Sequence, residues 1–210
     1  MRSLGRRPRG EKGAALFFSQ YVRKDDVVIE VGANRGGSTL TLADCASHVY
    51  ALEPAAPTFR YLRVFAAEKK NVTACNVGAG RTNEDIEYFV GRTPYASSRF
   101  RVANQAYLGR STMRVVRLDS LEFPLRPTCL VMDCEGSEVD ALIGAAGLFN
   151  SNCIRTTLVE THRLSDGTAT LNNVLMLLEG HGFECKVKED GERLPWVLST
   201  RSRPAPRQQD

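Results

Sequence analysis

Two stretches of the chain set carboxylates and an imidazole directly behind short apolar runs. CLVM at 129–132 is followed by Asp133, Glu135 and Glu138 in DCEGSE, and TLV at 157–159 by Glu160 and His162 in ETH. Carboxylates and histidine are the side chains that hold or move a proton near neutral pH, and a histidine's ordinary pKa of about 6.5 suits a general base. Asp133 is expected to face a reaction centre, with Glu135 and Glu160 beside it. His162 is the candidate base; its other reading is a surface histidine in the ETHR loop. Glu138 is read as an acid favoured by the dipole in the first turn of a helix. Asp133, Glu135 and Glu160 also form an oxygen set able to hold a divalent cation and lower the pKa of a bound alcohol. A metal is nonetheless not expected, because three neighbouring carboxylates also relieve their repulsion when one keeps a proton.

A second constellation lies earlier, in VVIEVGANRGG at 27–37. The turn Gly32 to Gly37 is not GxGxxG, since Asn34 stands where a dinucleotide's pyrophosphate needs bare backbone, nor is it GxxxxGK[ST]. A nucleotide phosphate is therefore the weaker ligand. S-adenosyl-L-methionine presents an amino-carboxylate, a sulfonium and a ribose diol, with no phosphate. Gly32 lets such a ligand lie over the turn, and free N–H groups at the following helix start meet its carboxylate. Glu30 and Glu53 supply the complementary anions, Glu53 from the end of the second strand, where a carboxylate accepts both ribose hydroxyls. Gly32, Asn34, Gly36, Glu30, Glu53 and Asn76 are the expected cofactor contacts. The bland alternative is a tight turn followed by a solvated strand end.

The elements that must position these residues alternate. VVIEV is a short β-branched run, as expected of a strand buried on both faces of a parallel sheet. Helices over 37–46 and 56–69 and strands at 48–52 and 72–77 follow. The pattern resumes with a strand at 129–132, a helix over 138–148, a strand at 156–160 and a helix over 171–180. Short βα units in succession imply a parallel, doubly wound sheet. Two last strands, near 183–187 and 195–198, complete it through the turn Glu189-Asp190-Gly191, and a helix over 14–22 leads in. Residues 81–117 interrupt the alternation. IEYFV and MRVVRL read as strands there, and the unpatterned stretch between them is expected to cross the substrate side of the sheet.

VIEVGANRGGSTL, ALEP, NVTACNVGAG, VVRLDSL, LVMDCEGSEVDALIGA and TLVETH fall in the order and at about the spacing of similar segments in the FkbM family of adenosylmethionine-dependent methyltransferases, which the chain resembles over most of its length. The resemblance implies an α/β, class I methyltransferase Rossmann-like fold with a mostly parallel seven-stranded sheet and helices on both faces. It also implies O-methylation of a hydroxyl on a sugar, glycan or small natural product, and a serine pair common in the family matches Ser97 and Ser98, which with Tyr95 are then candidate acceptor contacts. Two positions depart from the pattern. Glu30 replaces the usual aspartate, and Val131 stands where a lysine often precedes the DCEG aspartate.

Composition agrees with one soluble domain: 210 residues, 42% hydrophobic and 25% charged, are enough for a single core and few for two. The expected layout is a basic tail at 1–12, a methyltransferase domain at 13–200 and a tail at 201–210. No stretch reaches the roughly 20 apolar residues of a membrane span, so a cytoplasmic protein with reduced, buried cysteines is expected. The net charge of +4 and pI near 8.8 keep RNA ribose methylation open as the alternative, although 8% aromatic residues leave few platforms for stacked bases. A methyltransferase fold that binds without catalysing is the third reading.

Overall fold

The computed structural model describes residues 18, 20–92, 97–102, 106–188 and 195–201. Seven strands form one sheet in the order β3-β2-β1-β7-β8-β10-β9. They are β1 (Val27–Val31), β2 (His48–Leu52), β3 (Val72–Cys75), β7 (Cys129–Met132), β8 (Thr156–Glu160), β9 (Glu184–Lys188) and β10 (Trp196–Thr200). The four pairings among β3, β2, β1, β7 and β8 are parallel, while β10 is antiparallel to both β8 and β9. The order reverses beside β1, where β2 lies on one side and β7 on the other, so the ends of β1, β2 and β7 frame the switch point at which open α/β sheets bind ligands.

Burial on both faces explains the uninterrupted apolar runs. Val27, Ile29 and Val31 of β1 pack with helices α3 (Glu138–Ile143), α4 (Ala146–Asn150) and α5 (Leu171–Gly180), through Ala141, Leu142, Phe149, Val174 and Leu178. Val28 points the other way, to Leu42 and Ala43 of α1 (Gly37–Cys45) and Leu62 and Ala66 of α2 (Ala56–Ala67). The strand period of two thus divides one run between two cores.

The interrupting segment is itself a sheet. β5 (Glu84–Gly91) pairs antiparallel with β6 (Tyr107–Val116), and β6 pairs parallel with the two-residue β4 (Gly78–Ala79). Its strands are longer than IEYFV and MRVVRL alone suggest. The single helix expected over 138–148 is divided at Gly144, where an added Cβ would lie 2.0 Å from the Gly80 carbonyl oxygen. Arg201, expected in a solvated tail, instead donates to the carbonyls of Phe149 and Ile154 and lies 4.3 Å over the Phe183 ring. All six cysteines are free thiols. No helix among the described residues is long and apolar enough to cross a membrane. Most of the leading helix, Tyr95, the turn at 189–191 and the remaining basic tail residues lie outside the described residues.

Candidate active site

A cavity of about 250 Å³ opens at the switch point, walled by the turn after β1, by Glu53 to Ala55 after β2, by Asp133 to Glu135 after β7, and by Ile86, Tyr88, Met113 and Val115 of the hairpin. The turn is built from left-handed backbone: φ is 86° at Gly32, 52° at Asn34 and 95° at Gly36. Gly36 caps α1, whose first turn carries no acidic residue, so its free N–H groups remain available to an anion.

Gly32 has a stricter reason to be glycine than ligand approach. A Cβ there would fall 1.8 Å from the Asp133 carbonyl oxygen. Its missing side chain lets the cofactor turn and the β7 end pack against each other. Glu53 accepts from the Asn34 amide at 3.0 Å and the Ala55 amide at 2.8 Å. Burial raises its carboxyl to about 7 despite those bonds. Glu30 does not line the cavity. It turns back into α1, accepting from Thr39 Oγ1 at 2.6 Å, and burial raises it to about 7; its Oε1 is buried without a partner. Asn76, expected to touch cofactor, is exposed and donates to the carbonyls of Glu53 and Pro54. It braces the loop that carries Glu53.

Behind β7 and β8 the carboxylates gather around His162. The ring is buried rather than on the surface, with Nδ1 2.9 Å from Glu138 Oε1 and Nε2 3.7 Å from Asp133 and 3.6 Å from Glu135. Burial disfavours its charge, but the Glu138 bond and the fields of Glu138, Asp133 and Glu135 outweigh that and raise it to about 9. The neighbouring acids thus favour the protonated imidazole. Glu138 is more than a helix-start acid: it is fully buried, and the same Oε1 accepts from the Gly136 amide at 2.9 Å. Sequence gave no distinct signal for this, since a first-turn glutamate is common; the pairing needs β8 to bring His162 across.

Asp133 borders the cavity with 48% of its side chain accessible to solvent. Desolvation raises its carboxyl, while the His162 charge and a hydrogen bond from Glu160 hold it down. Glu160 is pushed up to about 9 by burial and the Asp133 charge, which favours its protonated form as a hydrogen-bond donor to Asp133. Glu160 and His162 stand behind the wall that Asp133 and Glu135 form. One ligand atom each of Asp133, Glu135 and His162 lie within 4.8 Å of one another, so the cation set suggested by spacing exchanges Glu160 for His162. Ser97 and Ser98 border the cavity, Ser98 Oγ donating to the Glu135 carbonyl. Asp140 also borders it, tied to Arg81 and Arg99.

A sheet ordered in this way, with a glycine turn after its first strand and an acid after its second, has the fold of class I S-adenosylmethionine-dependent methyltransferases. The model of the methyltransferase FkbM domain matches residues 30–185, and the chain belongs to that family. No curated protein matches the sequence. Among solved structures, the chain is similar to methyltransferase FkbM from Methylobacillus flagellatus KT, with a TM-score of 0.64 and 17% identity over 89% of this chain and 47% of that one. It thus spans about half of that relative's length. Aeropyrum pernix fibrillarin, bound to S-adenosyl-L-methionine, matches with a TM-score of 0.55 and 15% identity, covering 91% of this chain and 74% of that one. A putative tRNA (m1A22) methyltransferase from Streptococcus pneumoniae, also with bound cofactor, matches with 0.53 and 11% identity over 90% and 72%. The cofactor is S-adenosylmethionine. The cavity fits it: desolvated Glu53 is a strong acceptor for a diol, and the uncapped start of α1 offers donors to a carboxylate.

Proposed function

We propose that the protein O-methylates a hydroxyl on a sugar, glycan or small natural product. The observation that carries this reading is the Asp133 carboxylate on the cavity wall, raised by desolvation and backed by a protonated Glu160. When bound, adenosylmethionine supplies a methyl carbon that the hydroxyl oxygen attacks in line, the carbon–sulfur electron pair leaving with sulfur. Asp133 accepts the hydroxyl proton as the oxygen bonds to carbon. Glu160 and the His162 imidazolium hold Asp133 in its ionised form until then. Glu30, Gly32, Asn34, Gly36 and Glu53 shape the cofactor side, with Asn76 acting through the Glu53 loop, and Glu135 orients the acceptor. Ile86, Tyr88, Met113 and Val115 cover the cavity and keep water from competing.

Adenosylhomocysteine release, measured across a panel of sugar and natural-product hydroxyls, tests the assignment. Asp133→Asn should lower turnover about 100-fold, the usual size of a general-base effect, while adenosylhomocysteine affinity stays within about two-fold. Unchanged turnover in that variant overturns the role of Asp133, and absence of cofactor binding by calorimetry overturns the whole reading. RNA ribose methylation is the alternative that the pI near 8.8 favours. Filter binding with a steep salt dependence would support it.

A further inference from the structure

The cavity continues past Tyr88. Between the start of α2 and the end of β5 lies an outer groove of about 420 Å³, sharing Arg35, Ala55, Tyr88 and Ser97 with the inner cavity. Three arginines from separate elements line it: Arg35 from the cofactor turn, Arg60 from α2 and Arg92 after β5. Among the described residues, no aspartate or glutamate borders it. Nor does any of the three form an ion pair with a carboxylate among the described residues, whereas Arg81, Arg99, Arg117 and Arg155 elsewhere on the molecule do.

Like charges lining one groove without a counterion repel one another, and an anion entering it is attracted to each of them. The Arg35 guanidinium lies 4.5 Å from the centre of the Tyr61 ring, which holds it at the groove rather than extended into solvent. The first turn of α2 adds the positive end of a helix with no acidic residue in it. Guanidinium groups match phosphoryl oxygens through paired N–H donors, a geometry that lysine lacks. The inner cavity is more acidic, bordered by Glu53, Asp133, Glu135 and Asp140, with Arg35 at its mouth and Arg99 paired to Asp140. A ligand spanning both compartments would put its anion outside and a neutral hydroxyl inside.

We infer that the methyl acceptor carries a phosphoryl or diphosphoryl group, as a sugar phosphate or nucleoside diphosphate sugar does, and that Arg35, Arg60 and Arg92 seat it. This rests on the proposed O-methylation. A bounded groove suits a small diphosphate better than a long polyanion, which would need a continuous basic track.

The test is calorimetry on the full chain with the inner cavity saturated by adenosylhomocysteine, titrating pyrophosphate, uridine diphosphate and a short single-stranded RNA. Pyrophosphate and uridine diphosphate are expected to bind. Their affinity should fall about ten-fold in Arg60→Gln/Arg92→Gln and drop as salt is raised. Adenosylhomocysteine affinity of the same variant should stay within about two-fold, which shows that the protein is folded and its cofactor site intact. The proposal is overturned if neither small probe binds at about 10 mM, if the double variant binds them as well as the parent, or if only the RNA binds. Failure of O-methylation itself would appear separately, as absent turnover on every hydroxyl despite normal phosphate binding.

Discussion

Gly32→Ala strikes the joint between the cofactor turn and the proposed base. The added Cβ would lie 1.8 Å from the Asp133 carbonyl oxygen and 2.8 Å from its carbon, at a backbone φ of 86°. Left-handed backbone costs a non-glycine residue about 1–2 kcal/mol. The clash adds to this, because both of those contacts are backbone atoms and no rotamer change relieves them. Separating the β1 and β7 ends to admit one methyl group should cost about 1–3 kcal/mol more, as other overpacked sites do. Gly167 provides the control: its φ is 89°, yet an added Cβ would meet nothing within 4 Å, so Gly167→Ala carries the backbone strain alone. Urea denaturation of both variants should show Gly32→Ala less stable by about 2 kcal/mol. Adenosylhomocysteine affinity should fall only in Gly32→Ala, since only there must the cavity wall move. Equal losses of stability in the two variants would refute the close-packing account.

Glu53→Ala should abolish the rise in melting temperature that adenosylmethionine produces, a rise that reflects about 2.7 kcal/mol at a ligand concentration of 100 times Kd; a retained shift would remove Glu53 from the cofactor site. Glu30 and Glu53 are raised in the fold from 4.5 to about 7, so the folded chain binds more protons than the unfolded one, and their stabilisation should be lost as pH rises from 4.5 through 7. His162, raised from 6.5 to about 9, carries the same sign, its contribution being complete below 6.5 and lost as pH rises through 9. Urea midpoints across that range should show the decline, and Glu138→Gln should flatten its upper limb. Asp26 bonds Arg155 at 2.6 Å, with side chains 4% and 14% exposed. Asp26→Ala, which strands that guanidinium, should cost about 3 kcal/mol in chemical denaturation, and a loss below about 1 kcal/mol would show the pair to be solvated.

Much of the fold was legible because its signals are local. A β-branched run ending at a glycine turn, followed by a helical period, repeats along the chain, and each unit announces its own type. The divided helix at Gly144 was not legible, and the need for glycine there arises from the Gly80 backbone, which arrives from sixty-odd residues away in sequence. The long β5–β6 hairpin escaped for a similar reason. Most of β6 is exposed, with the burial pattern of an edge rather than of a core strand, so little apolar alternation marks its outer half.

By itself the sequence determined the order of the elements, the βα alternation, and which side chains stand at the strand ends. It therefore placed Glu53, Asp133, Glu135, Glu160 and His162 together on one edge of the sheet. What only the tertiary structure decided is the environment of each. Protonation depends on burial and on neighbours from other strands. The Glu138 bond to His162, made between α3 and the end of β8, favours the imidazolium, and burial beside Asp133 raises the Glu160 carboxyl. Gly32 likewise reads in sequence as freedom for a ligand. In three dimensions it is a position where the Asp133 carbonyl fills the space a side chain would take.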